Sequence, residues 1–224
     1  MTVRIALVCM ATFWLSACAT VTPITGQLSG EVLTRWQQRT QRLEVVDQWD
    51  IKGRMGVRTA DDGGSATFVW ERTGQTHRIE MFGPFGSGRI TIEQTPSGAT
   101  LTDGDAPPVL ADSAEELLYY KVGWHVPFQS LESWLKGIPS PIVPYHSLEV
   151  DTEGRASGFT QDGWEVSIVD YDKGDLLDLP HRVFIHALPG TVHLVGESGE
   201  DLGDRLDVRV VLKRWQITNE TPRT

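Results

Sequence analysis

Three short motifs contain side chains that could carry out chemistry, but each departs from the spacing that its reaction needs. In "GESGE", Ser198 misses the order of a nucleophile elbow by one residue. In "DYDKGD", residues 170–175, the carboxylates alternate, but the glycine comes one place too early for a calcium loop. "GPFGSG", residues 83–88, lacks the lysine of a phosphate-binding loop and precedes a predicted strand. These patterns are more typical of turns and of a solvated acidic loop.

The histidines and the adjacent carboxylates do not favour a reactive site either. His181, His186 and His193 lie at odd spacings that place them on alternating strand faces, so we expect no metal site. Glu115 and Glu116 are neighbours on a predicted helix and point apart, so they cannot share a substrate. We therefore expect a protein that is not an enzyme and that needs no metal or dissociable cofactor.

Cys18 is the one residue for which the sequence predicts a covalent modification. Residues 1–17 contain one positive charge, Arg4, and an apolar run over residues 5–15 that is too short to span a bilayer, which indicates a signal peptide. The run ends in Leu-Ser-Ala-Cys, which resembles the bacterial lipobox. That motif implies an S-diacylglycerol group and an N-acyl chain on Cys18, which would become the first mature residue. An ordinary signal peptide with an incidental cysteine is the alternative.

The remaining features near the amino terminus bear on location and partners. Cys9 lies within the signal peptide, so the mature chain has no partner for a disulfide. Residues 18–30 are rich in Thr, Gly and Ser and predict a flexible, lipidated tether. Ala19, in place of aspartate, resembles the sorting signal for the outer membrane, where the protein would be lipid-anchored and face the periplasm. The formal net charge of −10 makes nucleic acid a poor partner.

Residues 31–224 are long enough for one domain with a sizeable core, and three helices are predicted within it. From Glu31 to Trp49, apolar residues recur at spacings of three, four and seven, which indicates an amphipathic helix. In "DSAEELLYYKVG", Asp112 is the expected cap and Glu115 its reciprocal partner. "PFQSLESWLKGIP" predicts a third helix that ends at its Gly and Pro.

The rest of the domain alternates apolar and polar residues with the period of β-strands. Five runs between residues 51 and 103, and five more between residues 148 and 215, are each bounded by turn residues. They predict an α+β fold in which a twisted antiparallel sheet of roughly ten or eleven strands carries helices on one face. Such a sheet can be packed solid or can leave a cavity for a hydrocarbon ligand.

Three stretches carry a resemblance to a known family that covers nearly the whole chain. They are "FVWERTGQ" at residues 68–75, the Pro-hydrophobic-Gly turn at residues 84–86, and "SLESWLKGIP" at residues 130–139. Together with the lipobox, they resemble the LolB family, the outer-membrane lipoprotein receptors of the lipoprotein localisation pathway. The resemblance implies an incomplete, strongly curved antiparallel barrel with helices as a lid over an apolar cavity. It also implies a monomer that takes the acyl chains of lipoprotein cargo from the periplasmic carrier LolA.

The same resemblance implies roles for particular residues. Phe85 stands where the family usually has a leucine on a protruding loop, which passes cargo into outer-membrane lipid, and an aromatic ring keeps the apolar character of that position. The expected acyl-chain cavity is lined by residues assigned from strand alternation and the helix faces: Phe68, Trp70, Ile79, Met81, Ile90, Ile92, Leu101, Leu118 and Trp134. The alternative is a lipid-binding or sensory lipoprotein of the same fold that has no transfer activity.

Overall fold

An antiparallel sheet forms the frame of the protein in a computed structural model, which describes residues 30–83, 88–122, 127–172, 177–195 and 199–218, without the side chains of residues 121 and 122. The signal peptide, Cys18, most of the tether, Phe85 and Ser198 lie outside the described residues. The elements are α1 (Gly30–Glu44), β1 (Gln48–Arg58), β2 (Gly63–Thr73), β3 (Thr76–Phe82), β4 (Arg89–Thr95), β5 (Gly98–Asp103), β6 (Val109–Ala111), α2 (Ala114–Val122), α3 (Phe128–Leu135), β7 (Tyr145–Val150), β8 (Ala156–Gln161), β9 (Trp164–Tyr171), β10 (Pro180–Ala187), β11 (Leu194–Val195), β12 (Asp201–Gly203) and β13 (Asp207–Ile217).

Eleven of the described strands form one sheet in the order β6-β5-β4-β3-β2-β1-β13-β10-β9-β8-β7. Each neighbouring pair is antiparallel, and β1 joins the two halves by pairing with both β2 and β13. Since β6 and β7 are edges, the sheet is not closed, and the α+β prediction with an incomplete barrel is confirmed. β11 and β12 form a separate hairpin, so the run around Leu194 does not join the main sheet.

The first helix is shorter than its sequence pattern predicts. α1 ends at Glu44 and β1 begins at Gln48, so the prediction of helix up to Trp49 is wrong over its last five residues. Trp49 instead pairs with Arg72 on β2 and with Ile217 on β13. Its indole is buried with the side chain of Ile51, two residues on. Burial against two neighbouring strands therefore overrides the helical spacing at this point.

The cap of α2 lies one residue later than predicted. Ser113 Oγ accepts a hydrogen bond from the N–H of Glu116 at 3.2 Å, and Glu116 Oε2 accepts one from the N–H of Asp112 at 3.1 Å. Glu115 is thus not the capping partner. Its Oε1 accepts the N–H of Phe128, the first residue of α3, at 2.7 Å. One carboxylate of α2 therefore satisfies a donor at the start of the next helix.

α3 ends where its glycine predicts. Gly137 has a φ of 79°, and its N–H donates to the carbonyl of Trp134 at 3.0 Å. The N–H of Ile138 reaches back to the carbonyl of Ser133 at 3.2 Å. This pair of bonds is the Schellman motif, in which a left-handed glycine closes the helix.

A buried amide holds α3 and the segment after it against the sheet. Gln161 on β8 is fully buried, and its Oε1 accepts the indole N–H of Trp134 and the N–H of Ser140, both at 2.8 Å. Its Nε2 donates to the carbonyls of Ser140 at 2.8 Å and Val143 at 2.6 Å. The amide uses both its donors and both its acceptor positions, so burial leaves no polar atom unpaired. Among the helices described, none combines the length and the apolar character needed to cross a membrane.

Candidate functional site

An apolar cavity of about 140 Å³ lies between the concave face of the sheet and the two short helices. The helices and the residue before α3 form its roof with Leu118, Pro127, Phe128, Leu131, Trp134 and Leu135. The sheet forms its floor with Met55, Val57, Phe68, Trp70, Ile79, Met81, Ile92, Trp164, Ile185, Val208 and Val210. These side chains are all aliphatic, aromatic or thioether, which suits an apolar ligand.

Seven of the nine residues predicted to line a cavity do line this one: Phe68, Trp70, Ile79, Met81, Ile92, Leu118 and Trp134. Ile90 and Leu101 do not. Leu101 is buried opposite Ile92, and Ile90 packs partly buried against the core. Sharing a face with cavity residues is not sufficient, because α2 packs over β5 and fills the space there. That acyl chains enter the cavity stays a prediction.

Sequence reasoning missed the second half of the cavity wall. Trp164, Ile185, Val208 and Val210 come from β9, β10 and β13, far along the chain from the motifs that suggested a cavity. Their strands reach it because β13 pairs with β1. The alternation in "LDVRVVLKRW" marks Val208 and Val210 as one face of a strand, but it does not say which element covers that face.

An aromatic cluster closes one side of the cavity. The rings of Trp70 and Phe128 stack with centroids 4.9 Å apart, and the indole N–H of Trp70 donates to His77 Nδ1 at 3.2 Å. Burial lowers the pKa of His77 below its ordinary value, opposed by the nearby carboxylate of Glu132. The neutral imidazole therefore serves as an acceptor, and Trp70 can present its ring to the cavity without an unpaired N–H.

Ionic contacts fix α3 to the sheet on the other side of this cluster. Glu132 Oε1 accepts hydrogen bonds from Arg72 Nη1 and from Lys136 Nζ, the latter at 3.1 Å. Arg72 also donates through Nε to the carbonyl of Gly74 at 2.8 Å. These groups are mostly buried, so breaking the contacts would leave charges without partners.

The loop that carries Phe85 is described only at its two ends. The N–H of Gly83 donates to the carbonyl of Gly88 at 3.4 Å, and the guanidinium of Arg89 lies 4.9 Å from the ring centroid of Phe82. The two ends of the loop are therefore held close together between β3 and β4.

The histidines do not form a joint site. His181, His186 and His193 each lie near a different aspartate carboxylate, at 3.5, 2.6 and 3.8 Å. In the part of the chain that the structure describes, no group of three or more His, Cys, Asp or Glu residues is placed to hold a metal ion.

Comparison with known proteins agrees with the fold and with the motifs. Residues 47–215 match the family model described as Outer membrane lipoprotein LolB. The outer-membrane lipoprotein LolB of Alkalilimnicola ehrlichii is 32% identical, over 96% of this chain and 97% of its own length. That of Chromohalobacter salexigens is 31% identical, over 83% of this chain and 78% of its own length.

Among solved structures, a LolA superfamily protein from Nitrosomonas europaea has the same fold, with a TM-score of 0.50 and 8% identity, over 84% of this chain and 94% of that one. The family model and the LolB relatives confirm the family resemblance of the sequence motifs. The chain belongs to the LolB family of outer-membrane lipoproteins.

Proposed function

We propose that this protein receives lipoproteins from the periplasmic carrier LolA, shields their acyl chains in the apolar cavity and delivers them to the outer membrane. Membership of the LolB family supports the location in the outer membrane and the role in lipoprotein localisation. The observation that carries the finer proposal is the wall of the cavity, which is apolar in both roof and floor. The proposed transfer moves a bound hydrocarbon and makes or breaks no covalent bond.

The free-energy cost of exposing acyl chains to water explains why a container is needed. A lipoprotein with three chains carries roughly 45 methylenes, and at about 0.8 kcal/mol each their exposure would cost on the order of 35 kcal/mol. Free crossing of the periplasm is therefore excluded. Cargo has to move from one apolar container to another with its chains shielded throughout.

The cavity must widen to accept such cargo. Its volume of about 140 Å³ is close to that of an engineered protein cavity that holds one benzene molecule. α3 is fixed by Gln161 and by Arg72, whereas the roof contact of α2, Leu118, is apolar and non-directional. α2 is tied at its start, where the N–H of Ala114 donates to Gln94 Oε1 at 2.6 Å and Glu115 Oε1 accepts the N–H of Phe128 at 2.7 Å. We propose that α2 moves about this point when an acyl chain enters.

The lipid anchor on Cys18 belongs to the same proposal. Each buried methylene contributes about 0.8 kcal/mol, and two or more acyl chains give stable attachment to a bilayer. The anchored domain would then face the periplasm, where a carrier can reach the cavity.

A transfer assay tests this function. The mature chain with Cys18→Ala is mixed with a LolA–lipoprotein complex, and cargo bound to each protein is measured after affinity separation. We expect the parent chain to take cargo from the carrier. Val208→Trp, which fills the cavity, should reduce transfer at least tenfold, whereas Val169→Trp, at a position 54% exposed and outside the cavity, should not.

Two outcomes would contradict the proposal. If both tryptophan variants transfer equally well, the cavity does not hold the acyl chains. If the parent chain takes no cargo, a lipid-binding or sensory role without transfer becomes the better explanation.

A further inference from the structure

A second cavity, here called the polar cleft, lies beside the apolar one. It encloses about 690 Å³ between α3, the start of α2 and the turns that join β2 to β3 and β4 to β5. Arg72, Glu132 and Lys136 lie along its floor, and Phe128 lines both the polar cleft and the apolar cavity. One aromatic ring is thus shared by the walls of a polar and an apolar site.

The floor of the polar cleft carries an unbalanced positive charge. The side chain of Lys136 is only 4% exposed, and within the described residues its ammonium has a single partner, Glu132 Oε1 at 3.1 Å. Arg72 donates a hydrogen bond through Nη1 to the same oxygen and another through Nε to the backbone carbonyl of Gly74. Two cations therefore share one carboxylate, and Lys136 retains two N–H donors. A buried excess charge is unfavourable unless it is paired, so the floor suits one negative charge.

The rim of the polar cleft has the opposite charge. Glu44 and Asp112 line the rim and are exposed. Glu115 also lines the rim, is half-buried, and accepts a hydrogen bond from the N–H of Phe128 with one of its oxygens. Carboxylates this close to the opening oppose a small dianion. A ligand with a negative group for the floor and a positive group for the rim matches both charges.

The remaining wall adds an apolar strip. Pro141 and Ile142 line the polar cleft after α3 and are exposed, Ile142 to 63%, whereas the neighbouring Ile138 is buried. These two exposed apolar side chains beside a charged site suit a molecule whose polar and apolar parts are adjacent.

We propose that the polar cleft binds the headgroup of a zwitterionic glycerophospholipid of the phosphatidylethanolamine type. The phosphate diester contacts Lys136 and Arg72, the ammonium contacts the rim carboxylates, and the glycerol end lies along the apolar strip. This site is separate from the acyl-chain cavity and does not depend on lipoprotein transfer.

NMR titration of the mature Cys18→Ala chain tests the proposal with four probes. They are dihexanoyl phosphatidylethanolamine, dihexanoyl phosphatidylglycerol, free phosphoethanolamine and inorganic phosphate, with both lipids below their micelle concentrations. We expect the ethanolamine lipid to shift the signals of Lys136 and Arg72 and to bind at least fivefold more tightly than the glycerol lipid. Free phosphoethanolamine should shift the same signals more weakly, and inorganic phosphate should not shift them.

The contrary outcomes are equally specific. Equal binding of the two lipids would overturn the role of the rim, and equal binding of inorganic phosphate would overturn a lipid as the source of the phosphate group. The absence of shifts at Lys136 and Arg72 with every probe would overturn the site.

Variants that remove charge test the floor and the rim of the polar cleft separately. Lys136→Gln should weaken binding of the ethanolamine lipid at least tenfold, whereas Lys52→Gln, at an exposed position on β1 outside the polar cleft, should leave it unchanged. If Lys136→Gln does not fold, the double variant Glu44→Gln with Asp112→Asn tests the proposal instead, because both positions are exposed and tolerate substitution. That double variant should lose the preference for the ethanolamine lipid, and an unchanged preference would contradict the proposal.

Discussion

Gln161 determines the position of the cavity roof through a single side chain. Its side-chain amide forms hydrogen bonds with the indole of Trp134, whose ring lines the cavity, and with the backbone of Ser140 and Val143 beyond α3. Nothing in the local pattern of "GFTQDGW" distinguishes this glutamine from one in an exposed turn. Its importance comes from elements that are distant in sequence, so sequence reasoning could not identify it.

Gln161→Leu should reduce the free energy of unfolding by about 3 to 5 kcal/mol, because several buried polar groups would lose their partner at about 1 to 3 kcal/mol each. Urea denaturation followed by tryptophan fluorescence measures the change. Gln129→Leu, at an exposed position of α3, is the matched control and should change stability by less than about 0.5 kcal/mol. A loss below about 1 kcal/mol for Gln161→Leu would show that the amide network contributes little.

At the scale of elements, the glycine that ends α3 was a reliable local signal, whereas features that depend on tertiary contacts were not predicted. The end of α3 was predictable because a left-handed glycine acts within one helix turn. The end of α1 was not, because Trp49 packs edge-on against Trp70 and Trp215, at 5.4 and 5.7 Å, from two other strands. Leu101 lies outside the described cavity for a related reason, since alternation gives the face of a strand but not where a helix covers it.

The cap of α2 gives a test at this scale. Ser113→Ala should reduce the free energy of unfolding by about 1 kcal/mol, because the N–H of Glu116 loses its acceptor. Asp112→Ala should cost less, because Asp112 takes part through its backbone N–H, which the substitution retains. Urea denaturation of both variants measures the difference. A larger loss for Asp112→Ala would restore the assignment that the sequence favoured.

At the scale of the whole molecule, the open sheet is compatible with the proposal that one chain both holds and releases an apolar ligand. Pairing of β1 with β13 joins two meanders into a single concave surface, while the unpaired edges at β6 and β7 leave it unclosed. A closed barrel would fix the distance between opposite walls. Here the roof consists of short helices, so the proposed widening of the cavity would not require the pairing of strands to break.

For release into a bilayer, we propose a further contact that is made by Phe85. Burying its ring would contribute about 1.5 to 3 kcal/mol, too little to anchor the protein but enough to change membrane engagement by roughly tenfold to a hundredfold. The described ends of the loop, Gly83 and Gly88, are joined by a backbone hydrogen bond. Phe85→Glu should therefore still accept cargo but fail to insert it into liposomes, whereas Phe85→Leu should insert normally.

Cargo binding and insertion must be measured separately to decide this. Cargo binding is read from carrier-to-receptor transfer in solution, and insertion from the cargo recovered with floated liposomes. Val169→Glu places the same charge on an exposed strand position away from the loop, and it should leave both steps intact. If Phe85→Glu and the parent chain deliver equal amounts of cargo, the loop has no role in membrane delivery. If Phe85→Glu also fails to take cargo from the carrier, the charge impairs uptake as well as release. The proposed role of Phe85 in insertion alone would then be wrong.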